Sequence, residues 1–291
     1  MQEPTPEEER KYRPRPFRPR SSCAGAFLDR MRYEDLERAV FVARPNRFIA
    51  HVMPQQEQDI LPGSIVGVDP SGRLIAAAHV KNTGRCKELL PQGASVYIEN
   101  HAGRMGSRKL QYSLIAVEKV TPRGILQINM DSQAPNRLAK EGFEEGVIRL
   151  EGLGPLQIIR PETTHGDSRF DLFLQDTQGR KAFVEVKGVT LEENGIAAFP
   201  DAPTQRGIKH IEGLIRAKEE GYEAAILFIV QMEGMRGLVP NDRTQPAFGN
   251  ALRRAKAAGV QILAYECHVA PPQISVAGSI PVLLEGDLLW N

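Results

Sequence analysis

Two domains in tandem, a small all-β barrel over residues 36–122 and a mixed α/β domain over residues 123–291, are what this chain predicts behind an N-terminal extension of residues 1–35. Three observations predict them. Between Leu36 and Val120, short alternating or apolar runs are broken by turn residues. After Val120 the periodicity changes to amphipathic stretches separated by apolar runs. The composition, 41% hydrophobic and 25% charged over 291 residues, describes a globular chain able to bury two cores.

In the extension, an acidic run (Glu7 to Glu9) meets Arg13-Pro14-Arg15-Pro16-Phe17-Arg18-Pro19-Arg20, with too little apolar surface to offset the entropy of ordering it. A mobile, partly polyproline-like tail is expected. Lys and Arg (37) nearly balance Asp and Glu (36), so the net charge of +1 argues for no polyanionic partner by itself and any basic surface is local. Cys23, Cys86 and Cys267 form no C-x-x-C pair and read as reduced thiols. No apolar run approaches the roughly 20 residues of a spanning helix, and the N-terminus lacks a signal-peptide core. A cytoplasmic protein without a membrane partner is expected, and a homo-oligomer is compatible with the sequence.

Barrel strands are expected at Arg38 to Ala43, Phe48 to Met53, Ile65 to Val68, Leu74 to Val80, Ser95 to Ile98 and Leu110 to Val120. Asp69-Pro70-Ser71-Gly72 reads as a hairpin turn between two of them. Five or six short strands suit an oligonucleotide-binding type of barrel, which offers aromatics to bases and basic groups to phosphates. Candidate nucleic-acid contacts are Arg44, Arg47, Phe48, Asn82, Thr83, Arg85, Arg108 and Lys109, with His79, Lys81, Lys87, Arg104 and Tyr112 also available. Asn82-Thr83-Gly84-Arg85 in a tight turn could aim backbone amides at an anion, or be only a turn.

In the second domain a helix is expected from Pro135 to about Glu145, then strands at Leu156 to Arg160, Phe170 to Gln175 and Ala182 to Leu191. The last two are joined by the turn Asp176-Thr177-Gln178-Gly179. A helix from Arg206 to about Glu220 has Thr204 as N-cap and Gly221 as its stop. A buried strand at Ala224 to Val230, a helix from Pro246 to Ala258 and a strand at Val260 to Tyr265 follow. Helix, three strands, helix, strand is the order of a restriction-endonuclease-like core.

That order places the chemistry. Glu185 and Lys187, two apart on a strand, share a face about 7 Å apart along the chain. Asp171 lies on the neighbouring strand and can face them. Two carboxylates about 4 Å apart repel by roughly 4 kcal/mol at an intermediate dielectric, a conflict that a divalent cation removes. Asp171 and Glu185 are the metal-ligand candidates, magnesium or manganese the expected ion, and Lys187 the group that orients water or stabilises charge on phosphorus. Glu162 is a candidate third carboxylate. Arg206, Lys209 and His210 fall at i, i+3 and i+4 of the following helix and could grip phosphates, with Arg169 beside Asp171. The solvated-surface reading competes at each of these positions, and E-x-K alone is often only a cross-strand pair.

Arg44 to Val52 (RPNRFIAHV), Asn82-Thr83-Gly84, Ser107 to Leu110, Asn136-Arg137-Leu138, Ser168 to Asp171, Glu185 to Leu191 (EVKGVTL), Phe199 to His210 (FPDAPTQRGIKH) and Gly259 to Tyr265 together resemble the sugar fermentation stimulation protein A family over about residues 36 to 285. The resemblance implies an oligonucleotide/oligosaccharide-binding barrel joined to a PD-(D/E)XK nuclease-like domain, DNA binding, and a role in regulating sugar (maltose) metabolism. It also implies a metal site at Asp171, Glu185 and Lys187. The chain departs from the family pattern at Cys86, usually Met, and at Gln205, usually acidic. Two readings stand side by side: a DNA-binding, metal-dependent nuclease, and a DNA-binding regulator that uses a nuclease-like domain without catalysis.

Overall fold

The computed structural model describes residues 31–82, 84, 86 and 88–285. The tail arginines, Cys23, Thr83, Arg85 and Lys87 lie outside the described residues.

The first domain is built from β1 (Leu36–Asn46), β2 (Ile49–Pro54), β3 (Ile65–Val68), β4 (Leu74–Val80), β5 (Ser95–Asn100), β6 (Tyr112–Thr121) and β7 (Gly124–Asn129) in the order β3-β4-β2-β1-β5-β6-β7. A parallel pairing of β4 with β6 closes β1, β2, β4, β6 and β5 into a barrel. Alternation drives it: Ala50, Val52 and Pro54 of β2 point inward, while His51 and Met53 are half-buried. The β3–β4 turn forms as the sequence predicts. Asp69 Oδ1 accepts from the amides of Ser71 (2.9 Å) and Arg73 (2.8 Å), and Gly72 takes the positive φ of +89°. The first sheet continues past residue 122 through β7, because Ile128 still has barrel core to cover. Residues 31–35, assigned to the mobile extension by composition, are not solvated throughout: Met31 and Tyr33 are buried against the second domain.

The second domain opens with α1 (Ala134–Glu144) and continues through β8 (Leu156–His165), β9 (Ser168–Asp176), β10 (Lys181–Val189), β11 (Leu191–Glu193), β12 (Ile196–Phe199), α2 (Gln205–Glu219), β13 (Glu223–Val230), β14 (Leu238–Pro240), α3 (Pro246–Ala257), β15 (Gln261–Ala270) and β16 (Gln273–Ile280). Its sheet has the order β16-β15-β13-β10-β9-β8, with β10, β13 and β15 parallel at the centre. Central strands buried on both faces are near-continuously apolar, as Ala224 to Val230 is. Leu138 and Phe143 of α1 pack on the face that carries Val184 and Val186. On the other face, Ile211 and Leu214 of α2 and Phe248 and Leu252 of α3 meet Phe183 and Phe228.

Thr204 caps α2, its Oγ1 accepting from Gly207 N at 3.0 Å, and Gly221 (φ +91°) follows the helix end. The β9–β10 turn is held by Asp176, which is fully buried and accepts from the amides of Gln178, Arg180 and Gly154, each at 2.9 Å. The strand expected at Ala182 to Leu191 is two elements, since the chain leaves the large sheet after Val189 to build a small one, β11-β12-β14.

The two domains share a core. One buried cluster includes Phe41, Val52 and Ile98 of the barrel together with Phe183, Phe228 and Phe248 of the second domain. A buried polar network joins them as well: Gln231, at the end of β13, donates to Asn129 Oδ1 (2.8 Å), and Lys81, after β4, pairs with Asp131 (3.0 Å). Among the described residues no helix is long and apolar enough to cross a membrane.

Candidate active site and nucleic-acid interface

The antiparallel β9–β10 ladder runs to the pair Leu172 and Val184. Asp171 and Glu185 are the next residues on each strand. Beyond the last ladder pair, Asp171 Oδ2 accepts from Val186 N at 2.8 Å, so the carboxylate takes an amide that a ladder carbonyl would otherwise hold. Asp171 Oδ1 accepts from Asn136 Nδ2, on α1, at 2.9 Å. Glu185, 1% exposed, accepts on Oε1 from Lys187 Nζ and from His210 Nδ1 on α2. Its other oxygen, Oε2, is buried without a hydrogen-bond partner.

The two acids are shifted in opposite directions. Burial, and then the charge of Glu185, pushes the Asp171 carboxyl above the ordinary carboxylate range, against the hydrogen bonds from Val186 and Asn136. Burial acts on Glu185 in the same sense, but the hydrogen bond from His210 and the charge of Lys187 outweigh it and hold Glu185 below the usual value. Arg206 Nε donates to His210 Nε2 at 3.3 Å, which leaves the Nδ1–H tautomer facing Glu185.

Asp171, Glu185 and Lys187 thus converge as the sequence predicts, and His210 converges with them in a different role. Its ring is turned onto Glu185 rather than outward with Lys209, which is 59% exposed and pairs with Asp167 at 3.6 Å. Glu162 is not brought in. The β8–β9 pairs Pro161 with Leu172 and Thr163 with Phe170 place it opposite Asp171, yet its backbone has φ +52° and its carboxylate, 64% exposed, pairs with Arg169. Among the described residues no group of three or more His, Cys, Asp or Glu side chains is arranged to hold a metal ion. Asn136 is the site residue that periodicity missed: it reads only as the first turn of a helix.

On the barrel the candidates separate. Arg44 is not offered to a phosphate, since its Nη2 donates to the carbonyls of Arg47 (2.8 Å), Asn82 (3.0 Å) and Gly84 (3.0 Å) and fixes the loop after β4. Asn82 Oδ1 accepts from Gly84 N at 2.8 Å, so that amide is turned inward rather than towards an anion. Tyr112 is fully buried and cannot stack on a base. Arg47 and Phe48 do form an exposed platform, the guanidinium lying 4.6 Å from the ring centroid. Arg108 and Lys109 are exposed and pair with no carboxylate among the described residues.

Comparison with known proteins agrees with this architecture. Residues 42–124 match the SfsA N-terminal OB domain and residues 133–273 the sugar fermentation stimulation protein RE domain. The chain is 43% identical to a sugar fermentation stimulation protein homolog of Enterococcus mundtii over 252 residues, covering 86% of this chain and 95% of that protein. It is also 43% identical to a homolog from Desulfitobacterium hafniense (strain DSM 10664 / DCB-2), covering 88% of this chain and 100% of the relative. The solved structure of Pyrococcus furiosus SfsA in complex with Ca2+ superposes with a TM-score of 0.69 at 28% identity, over 87% of this chain and 98% of the other. The chain is a member of the sugar fermentation stimulation protein family, with an N-terminal OB domain and a C-terminal RE domain.

Proposed function

We propose that this protein binds DNA and hydrolyses its phosphodiester bonds with a divalent metal ion at Asp171 and Glu185. One observation carries the reading: a half-buried carboxylate, Asp171, and a buried one, Glu185, meet beside an ammonium, the charge of Glu185 helps to raise Asp171, and one carboxylate oxygen, Glu185 Oε2, has no partner. That donor set fits a hard cation that completes its shell with water and phosphate oxygens, magnesium or manganese among them. The Ca2+ complex of the Pyrococcus furiosus relative supports a divalent ion in this family. A divalent ion at such a site supplies positive charge to the phosphate and lowers the pKa of an attacking water.

The chain's own residues do the positioning. Asn136 and the Val186 amide hold Asp171, and His210, backed by Arg206, holds Glu185. Lys187, which donates to Glu185 Oε1, would orient water or neutralise charge that develops on phosphorus. The Arg47–Phe48 platform offers a base-stacking and phosphate contact on the barrel. A second reading, a DNA-binding regulator without catalysis, draws support from Glu185 Oε1, which Lys187 and His210 already satisfy.

The test incubates purified protein with single-stranded, duplex and branched DNA and RNA while titrating magnesium or manganese. Cleavage by wild type, lost in both Asp171→Ala and Lys187→Ala, is the expected result. Cleavage surviving both substitutions places the chemistry elsewhere. No cleavage of any substrate favours the regulator.

A further inference from the structure

Beside α1, at the junction of the two domains, lies a cavity of about 370 Å3. Its walls carry Arg32, Lys81, Arg104, Arg108 and Arg137 against two carboxylates, Glu99 and Asp131. Lys81 is paired with Asp131, and Arg104 with Glu99 and with Glu34 and Asp35, which are 68% and 73% exposed on the rim. Arg137 is paired with Glu141. Arg32 and Arg108 pair with no carboxylate among the described residues, although both line the cavity. Two exposed guanidiniums without a carboxylate partner on one concave surface, Arg108 donating only to Ser113 Oγ at 3.4 Å, leave that surface positive and favour an anion.

The floor is built rather than incidental. His101, 3% exposed, has Nε2 3.0 Å from Ser113 Oγ, and Tyr33 is tied in by Asn129 Nδ2, which donates to its hydroxyl at 2.9 Å. His101 also reports the local potential. Burial first, and then the charges of Arg108, Arg104 and Lys81, push it down to about 4, with Asp35 pulling the other way and Glu99 Oε2 3.5 Å from Nε2. His79 is lowered by burial and then by Lys81 and Arg108, so a second imidazole senses the same positive field.

We infer that this cavity binds a phosphate group through Arg32 and Arg108, the terminal phosphate of a nucleic-acid strand being the ligand that its position favours. Guanidinium forks match phosphate oxygens two at a time, and the volume accommodates a phosphate together with its nucleoside. The position singles out a strand end: Arg137 lines the cavity, while its neighbour Asn136 on α1 holds Asp171. The N-terminal turn of α1 thus borders both the cavity and the carboxylate site. The strand-end assignment rests on the DNA-binding reading above, whereas the phosphate chemistry does not depend on cleavage.

The experiment is read as binding in EDTA, so that loss of nuclease activity cannot be mistaken for loss of the site. Fluorescence anisotropy compares short single-stranded DNA with hydroxyl or phosphate at the 5′ end, and likewise at the 3′ end. Calorimetry adds inorganic phosphate and a nucleoside monophosphate. One phosphorylated end is expected to bind about tenfold more tightly than its hydroxyl counterpart, the worth of one charge-assisted Arg–phosphate contact. Arg108→Ala and Arg32→Ala should each abolish that difference while their melting curves stay at the wild-type position, and Arg108→Lys should restore part of it. If the nucleoside monophosphate binds with the same arginine dependence and strand ends gain nothing, the pocket takes a free phosphate ester. Equal binding of all ends together with no binding of phosphate or the monophosphate, in a folded wild type, overturns the proposal.

Discussion

The Asn136 side chain donates to Asp171 Oδ1 across 35 residues of sequence, so α1, and not the sheet alone, decides where this carboxylate points. Asn136→Ala leaves Asp171 with the Val186 amide as its other hydrogen-bond donor. Water can replace the exposed amide without orienting the carboxylate, so cleavage should fall roughly tenfold, about 1.4 kcal/mol of lost positioning. Asn136 is exposed, so the melting temperature should hardly move. Steady-state kinetics beside a thermal melt separate the two effects.

Gly188 follows Lys187 on β10 and has no room for a side chain. A Cβ there would sit 2.6 Å from Pro135 Cγ and 2.7 Å from Gln231 Oε1, a rigid ring on one side and a buried, hydrogen-bonded amide on the other. Gly188→Ala is expected to cost about 1–3 kcal/mol, as overpacking does. It should also lower cleavage, because the helix it pushes carries Asn136. Denaturant unfolding and activity, measured on the same preparation, check both; an unchanged midpoint would mean that α1 yields freely.

Arg44 and Arg47 should part company. Removing the Arg44 guanidinium orphans carbonyls of the loop after β4, and Arg44→Ala should destabilise the protein by about 1–3 kcal/mol. Arg47→Ala, at the exposed platform, should leave stability within about 0.5 kcal/mol. It should instead lower the slope of log affinity for DNA against log salt by about 1. Salt titrations of both variants decide this, and a normal slope for Arg47→Ala removes it from the DNA contacts.

Acid should act through Asp176. The Gly154 amide, and then Arg180, hold this carboxyl down to about 2 against its burial. A folded-state value below the ordinary one, about 3.9, means that the stabilisation is fully present above that value and fades as pH falls through about 2. Asp176→Asn should therefore be less stable than wild type at neutral pH, and the gap should close between about pH 4 and pH 2. Urea unfolding at a series of pH values measures it, and a gap independent of pH would contradict the linkage.

Much of the architecture was legible because local pattern encodes it. The strands from Leu36 to Thr121 are alternating or apolar runs, the Asp69–Gly72 and Asp176–Gly179 turns carry their own chemistry, and Thr204 and Gly221 mark the limits of α2. Spacing put Glu185 and Lys187 on one face of a strand, and the structure agrees. Partnerships across the fold were not legible. The parallel closure of β4 on β6, the small sheet formed by β11, β12 and β14, and the turn of His210 onto Glu185 depend on packing between distant segments. For the same reason Arg44 resembled a phosphate contact in sequence: charge is visible there, but three accepting carbonyls are not.

The buried cluster that runs without a break from Phe41 in the barrel to Phe228 in the second sheet makes the two domains one thermodynamic body. A ligand held only by the barrel then also protects the strands that carry Asp171 and Glu185, by about 2.7 kcal/mol at a hundred times its dissociation constant. Occupancy of one half is felt by the other as resistance to unfolding, with no moving part between them. In the cell, the ligand-bound pool would be the pool that proteases spare.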